Sequence, residues 1–340
     1  MQIFDCKEKP IEVHGLPFFN ENGSFNRFTE ELSKAAPIAG SMSKYSVGAR
    51  ICFRTDSPTV YLKMKFKPLT LTLGMSTIAG QSLHLLWGSR QNLTYAGAWT
   101  PSRLDMTETS GMCPFCKKAG QEDVMVYLPR NAIVEEVQIG IEDGAKLMTP
   151  TPYKYPPMLY YGSSITAGGS CSAPFNAYNA IISNHLDVDY YNFGFSGACM
   201  GELPIADCIA SLPISMFVYD YDHNAPNVEF LEKTHERFFL RIREKCPDLP
   251  ILMLSKPDRF GLKDDEEARC EVIKTTYENA LKRGDKNVYF IDGKTFFGVK
   301  DRYACTVDTL HPNDLGAYRM AMVIEPVIEK ILKEKYPEIK

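Results

Sequence analysis

The chain changes pattern at one place, and the change limits the folds open to it. "TPTPYKYPP", residues 149–157, is a proline-laden connector, and beyond it short apolar runs alternate with longer helical stretches. MLYYG is followed by FNAYNAIISNHL, VDYYNFG by LPIADCIASL, and ISMFVYDY by VEFLEKTHERFFLRIREKC; PILMLSK then precedes DEEARCEVIKTTYENALKR, and NVYFID precedes a last helix from about Asn313 to Lys335. Parallel neighbours cannot be joined by a tight turn and need a crossover, usually a helix. Five strand–helix pairs therefore predict a parallel sheet with helices on both faces, whose ligands sit at the carboxyl ends of the strands.

Before the connector the segments are short, β-branched or aromatic, and cut by turns: YSVGARICFRTDSPTVYLKMKF, TLTLGMSTIAGQSLHLLWG, EDVMVYLPR, VEEVQIGIEDG. VYLKMKF and VMVYL alternate as strands with one wet face do. The expected fold class is α/β in two domains: a jelly-roll-like antiparallel β-sandwich over residues 1–150, with an early helix around NRFTEELSKAA, and a flavodoxin-like three-layer α/β/α domain with a five-stranded parallel sheet over residues 151–340.

Composition narrows the function. Lys and Arg are scattered and the formal net charge is −4, so no field favours nucleic acid or an anionic surface. No apolar run reaches the length of a membrane span, and MQIFDCKEKPIEVHG lacks the basic start and apolar core of a signal peptide, so a cytoplasmic location is expected. The ten cysteines show no disulfide spacing and most lie in apolar segments, as reduced buried thiols do. Cys113 and Cys116 form a C-x-x-C without the second pair a structural zinc site needs, and are read as a loop with two thiols. Neither metal nor cofactor is expected.

The first strand of the parallel sheet ends in Gly162-Ser163-Ser164-Ile165-Thr166. Ser164 matters chemically only if a histidine, itself oriented by a carboxylate, can reach its hydroxyl; otherwise Ser163, Ser164 or Thr166 simply starts the next helix. In CTVDTLHPNDLGAYRMA, Asp308 and His311 are three residues apart just before Pro312. A turn of that length lets the carboxylate hold one ring nitrogen while the other faces a hydroxyl, although Asp308 or Asn313 could also serve only as a helix cap. Gly194 and Gly197 in NFGFSGACMG and Asn224 in YDYDHNAP lie at the next two strand ends, where a backbone N–H or an amide could face an oxyanion.

In this order and at these strand ends, the pieces resemble the four blocks of the SGNH, or GDSL-like, hydrolases over residues 157–335. GSSIT resembles the first block, with Ser164 at the nucleophile position, and NFGFSG the second, with Gly197 at the oxyanion glycine. DYDHN resembles the third, with Asn224 at the oxyanion asparagine, and DTLHPNDLG the last, with Asp308 and His311 completing the triad. Two departures stand out: Ser163 replaces the aspartate of Gly-Asp-Ser, and in the third block Asp222 stands where the family usually has a glycine two before the asparagine, with Ala225 as the residue after it. His223 is expected to line the site or face solvent, since it has no carboxylate at the family's spacing. GARICFRTDSPTVYLKMKF is similar to the sandwich that precedes some bacterial SGNH domains, acetyl esterases of plant polysaccharides among them.

The resemblance implies a serine esterase removing acetyl groups from O-acetylated carbohydrate, with the Ser164 and Gly197 N–H groups and the Asn224 amide forming the oxyanion hole. The small, polar loop AGGSCSAPFNAY after the nucleophile favours a short acyl group. The alternatives are a longer-chain lipase or thioesterase of the same family, and a non-catalytic carbohydrate-binding protein. Trp87, Trp99 and Tyr95 are candidates for stacking on sugar rings or for core. The expected partner is a small-molecule or oligosaccharide ester, not a nucleic acid or a membrane, and homo-oligomerisation is left open.

Overall fold

The computed structural model describes residues 1–67, 75–90, 92–103, 105–259 and 265–339. In chain order the strands are β1 (Gln2–Asp5), β2 (Glu12–His14), β3 (Arg50–Thr55), β4 (Thr59–Lys67), β5 (Leu83–Ser89), β6 (Asn92–Trp99), β7 (Cys113–Cys116), β8 (Glu122–Tyr127), β9 (Ile133–Ile141), β10 (Leu147–Met148), β11 (Tyr155–Gly162), β12 (Val188–Gly194), β13 (Met216–Asp220), β14 (Ile251–Leu254) and β15 (Val288–Ile291). The helices are α1 (Phe19–Asn22), α2 (Glu30–Ala35), α3 (Pro37–Ser43), α4 (Thr77–Gln81), α5 (Tyr178–Leu186), α6 (Leu203–Ile209), α7 (Val228–Lys245), α8 (Glu266–Lys282) and α9 (Asp314–Lys335). They divide into two compact units. Met1–Arg27, Lys44–Tyr153 and Ser172–Phe175 form one; Phe28–Ser43, Lys154–Cys171 and Asn176–Lys340 form the other.

The first unit holds two antiparallel sheets, ordered β1-β9-β4-β7 and β10-β3-β8-β5-β6, with β2 on β3. Every second residue of β4 is buried, and Val60, Leu62, Met64 and Phe66 meet Ile51, Phe53, Leu85 and Val126 of the other sheet in one core. Two local expectations change. Thr77–Gln81, read within a strand segment, is the helix α4, started by Ser76 whose hydroxyl accepts from Ala79 N–H at 3.3 Å; the TLTLG that precedes it, residues 70–74, lies outside the described residues. Cys113–Cys116, read as a loop, is an edge strand paired with β4, where Phe115 turns into the core and Pro114 is tolerated because one side of the strand is unpaired. Trp87 and Trp99 pack against this core, whereas Tyr95 is half exposed and bonds His84 Nδ1 at 3.1 Å.

The second unit is built on a parallel sheet of order β12-β11-β13-β14-β15. Met158 to Tyr161 of β11 and all of β13 and β14 are fully buried, as strands covered on both faces must be. The helix expected around NRFTEELSKAA is α2, and with α3 it belongs to this unit rather than to the sandwich: Phe28 meets Phe193 and Phe195 at ring separations of 5.1 and 5.0 Å, and Ala36 and Ala39 join the same core. Chain order reverses at β11, which lies between β12 and β13. The carboxyl ends of these three strands therefore border the crevice in which open α/β sheets bind ligands.

Candidate active site

Each of the three strands delivers one candidate residue to that edge. β11 ends at Gly162, where an added Cβ would lie 2.0 Å from Thr166 Oγ1 and 2.5 Å from the Asp220 carbonyl, so a side chain is excluded by close approach. The chain then turns back on itself, with Ala167 N–H on Ser163 O and Gly169 N–H on Ser164 O at 3.0 and 2.8 Å. Asn179 and Asn192 both donate their side-chain amides to Thr166 O, at 2.7 and 2.9 Å. The Thr166 hydroxyl and Tyr178 OH both donate to Asp220 Oδ2, at 2.7 and 2.9 Å. The serine turn is thus pinned from β12, β13 and α5 by hydrogen bonds among buried polar groups.

On this turn Ser164 Oγ lies 2.8 Å from His311 Nε2, and His311 Nδ1 lies 2.6 Å from Asp308 Oδ2. Asp308 Oδ1 also accepts from the backbone N–H groups of Leu310 and His311, at 3.1 and 2.7 Å. One carboxylate therefore fixes both the turn and the ring. A bond from Nδ1–H to Asp308 leaves Nε2 as the acceptor facing the serine hydroxyl. Partial burial pushes the Asp308 carboxyl up, but the bonds from His311 N–H, its ring and Leu310 N–H outweigh this and hold it below the ordinary aspartate value. Thr309, between the two residues, sits at φ 68°, a left-handed conformation strained for a β-branched residue. Asn313, the alternative cap, does cap α9, its Oδ1 accepting from Gly316 N–H at 3.1 Å.

The other candidates separate. Gly197 lies in the turn after β12 at φ 67°, and among the described residues nothing comes within 4 Å of where a Cβ would stand. Gly194 is excluded as an anion donor, because its N–H is buried and bonded to Asn192 Oδ1 at 2.8 Å. Asn224 accepts from Cys199 N–H through Oδ1 at 3.2 Å, which orients its amide so that the NH2 group points away from that bond. His223 bonds not Ser164 but Ser163, whose Oγ is 3.0 Å from Nε2 and also accepts from Ile165 N–H at 3.1 Å. Where a Gly-Asp-Ser turn would carry an aspartate, Ser163 links the turn after β11 to the loop after β13.

Sequence reasoning passed over Asp220, Asn179 and Asn192, and read Thr166 only as a possible helix start. A signal was present: Asn192 and Asp220 are polar residues near the ends of otherwise apolar strands, VDYYNFG and MFVYD. Burial drives the Asp220 carboxyl up to about 7, against the pull of its bonds to Thr166 and Tyr178. Among the described residues no group of three or more His, Cys, Asp or Glu could hold a metal, and no helix is long and apolar enough to cross a membrane.

Residues 156–329 match the model of the GDSL-like lipase/acylhydrolase family, and residues 1–147 match the model for the N-terminus of SGNH-hydrolase-type esterases. Among solved structures, a GDSL-like lipase from Bacteroides ovatus is similar at 27% identity and a TM-score of 0.86, over 98% of both chains. A salicylyl-acyltransferase of a tetracycline biosynthetic pathway shares the fold at 19% identity and a TM-score of 0.76, over 97% of both. A family two carbohydrate esterase from Clostridium thermocellum, solved with cellohexaose, does so at 14% identity and a TM-score of 0.62, over 84% of this chain and 93% of that one. No curated protein matches the chain significantly. With one family model covering the α/β half and the other the sandwich, the chain belongs to the GDSL-like, or SGNH, hydrolases.

Proposed function

We propose that the protein is a serine esterase that removes acetyl groups from O-acetylated carbohydrates. The observation that carries this reading is the continuous hydrogen-bonded line from Ser164 Oγ through His311 to Asp308, with 2.8 and 2.6 Å steps. Ser164 Oγ attacks the ester carbonyl as His311 Nε2 takes its proton, and Asp308 stabilises the imidazolium that forms. The carbonyl oxygen, now negative, is held by the backbone N–H groups of Ser164 and Gly197 and the Asn224 amide. Collapse returns the proton from His311 to the departing sugar oxygen and leaves acetyl-Ser164; water, deprotonated by the same histidine, attacks the acetyl carbonyl, and His311 passes that proton to Ser164 Oγ as the ester bond breaks and acetate leaves. Carbohydrate as the alcohol is supported by the fold likeness to family two carbohydrate esterases and by the acetyl xylan esterase from Butyrivibrio proteoclasticus, 12% identical at a TM-score of 0.62. The likeness covers 98% of this chain and of the family two carbohydrate esterase from Cellvibrio japonicus, and 100% of this chain and 99% of the acetyl xylan esterase.

A longer acyl group is the second reading. Val307, whose N–H bonds the His311 carbonyl at 3.0 Å, is 49% exposed and offers apolar surface beside the histidine. Initial rates on p-nitrophenyl acetate, butyrate and octanoate separate the two: rates are expected to fall from acetyl to octanoyl, and a rise would favour the lipase. Ser164→Ala should lower kcat on the acetyl ester by about 10⁴ or more. Equal background rates for the variant and the wild type would leave a carbohydrate-binding protein without catalysis. Acetate release from acetylated xylo-, manno- and amino-sugars then identifies the alcohol.

A further inference from the structure

The loop that presents Asn224 is gripped from outside the strand that delivers it. Arg269, on the second turn of α8, is 7% exposed. Its Nη1 donates to Ala225 O at 3.0 Å and to Asp222 O at 3.4 Å, and its Nε donates to Asp265 Oδ2 at 2.6 Å. The two carbonyls bracket Asn224. Asp222 is held again through its side chain, whose Oδ2 accepts from Lys256 N–H at 2.9 Å, and its own carbonyl also accepts from Ala225 N–H at 3.1 Å.

A buried guanidinium is a costly way to attach a helix. α8 already buries Cys270, Ile273, Thr276 and Ala280, so its packing does not require a cation at position 269. What the guanidinium adds is directional: a planar donor, fixed at one edge by Asp265, sets where the two carbonyls lie and hence the backbone from which the Asn224 side chain springs. Among the described residues the Asn224 oxygen is bonded to Cys199 N–H alone, at 3.2 Å, so the direction of its NH2 group depends on both ends of its backbone being held. An oxyanion donor displaced by a few tenths of an ångström loses much of its value, because the stabilisation rests on preorganisation.

We infer that Arg269 is a positioning residue for catalysis, acting through the Asp222 and Ala225 carbonyls to aim the Asn224 amide at the oxyanion; this rests on the esterase reading above. It touches neither substrate nor reacting atoms. A lysine retains the charge but offers a point donor without the planar edge, so it cannot keep Asp265 and both carbonyls in the same geometry.

The test is a double-mutant cycle on p-nitrophenyl acetate hydrolysis with full-length wild type, Arg269→Lys, Arg269→Met, Asn224→Ala and the two combinations, with thermal midpoints and far-UV spectra recorded for each. Asn224→Ala is expected to lower kcat by about 10²-fold. Arg269→Lys should lower kcat roughly tenfold with KM within about twofold, and should change kcat by less than about twofold once Asn224 is already alanine. Additive losses in the folded lysine variants, or a kcat for Arg269→Lys equal to wild type, would overturn the assignment. If Arg269→Met does not fold, the lysine cycle alone decides. A wild-type rate that Ser164→Ala leaves unchanged would instead overturn the esterase reading, and the role of Arg269 with it.

Discussion

Asp220 is the residue whose charge state should be most visible in solution. It is fully buried at the end of β13, next to Gly162 across the sheet, and its carboxyl titrates near 7 instead of 3.8 because burial disfavours the anion more than Thr166 and Tyr178 favour it. Between those two values the native state keeps a proton that the unfolded chain has released, so this group makes the protein less stable as pH rises through the window. Asp220→Asn removes the titration while retaining the size and the acceptor oxygen. Urea unfolding from pH 4.5 to 7.5 should show wild type losing on the order of 3 kcal/mol relative to Asp220→Asn. Parallel stability curves would mean that Asp220 keeps its ordinary pKa. Asp308 has the opposite sign: its depressed pKa lends stability above the unfolded value, and this is lost as pH falls through the folded one. Asp308 and His311 were legible because their spacing is local. Asp220 was not singled out, because a lone aspartate in FVYDY can be read as the wet end of a strand until its neighbours are known.

Among the elements, α2 and α3 carry the clearest consequence. Their chain precedes most of the sandwich, yet Phe28, Ala36 and Ala39 complete the core under β12, and the Glu202 carboxylate accepts from Ile38 and Ala39 N–H at 3.4 and 3.1 Å at the start of α3. A carboxylate there satisfies otherwise unpaired donors at a helix N-terminus. Phe28 is 2% exposed, so Phe28→Ala should cost about 3–5 kcal/mol in equilibrium denaturation. A loss below about 1 kcal/mol would show that the site collapses around the smaller side chain or that the helices do not bury it. An apolar face on NRFTEELSKAA could be recognised from the residues, but its partners Phe193 and Phe195 are more than 160 positions away, and periodicity does not say which sheet a face will meet. The parallel strands were easier, since each carries its own apolar run and a following helix. Cys113–Cys116 was misread for the converse reason: a short edge strand containing Pro114 has almost no pattern of its own and exists through its pairing with β4.

At the scale of the whole molecule, Ser164 and His311 stand 147 positions apart and meet because β11 and the turn before α9 end at the same edge of one parallel sheet. Their order along the chain was readable; the polar net beneath them, from Thr166 to Tyr178, Asn179, Asn192 and Asp220, was not, because it consists of pairings among residues that each have commoner uses. The most direct test is peptide mass spectrometry after brief reaction with a fluorophosphonate. One adduct is expected, on Ser164, formed rapidly by wild type and lost in His311→Ala. Labelling of Ser163, or equal labelling with and without the histidine, would contradict the claim that His311 activates Ser164.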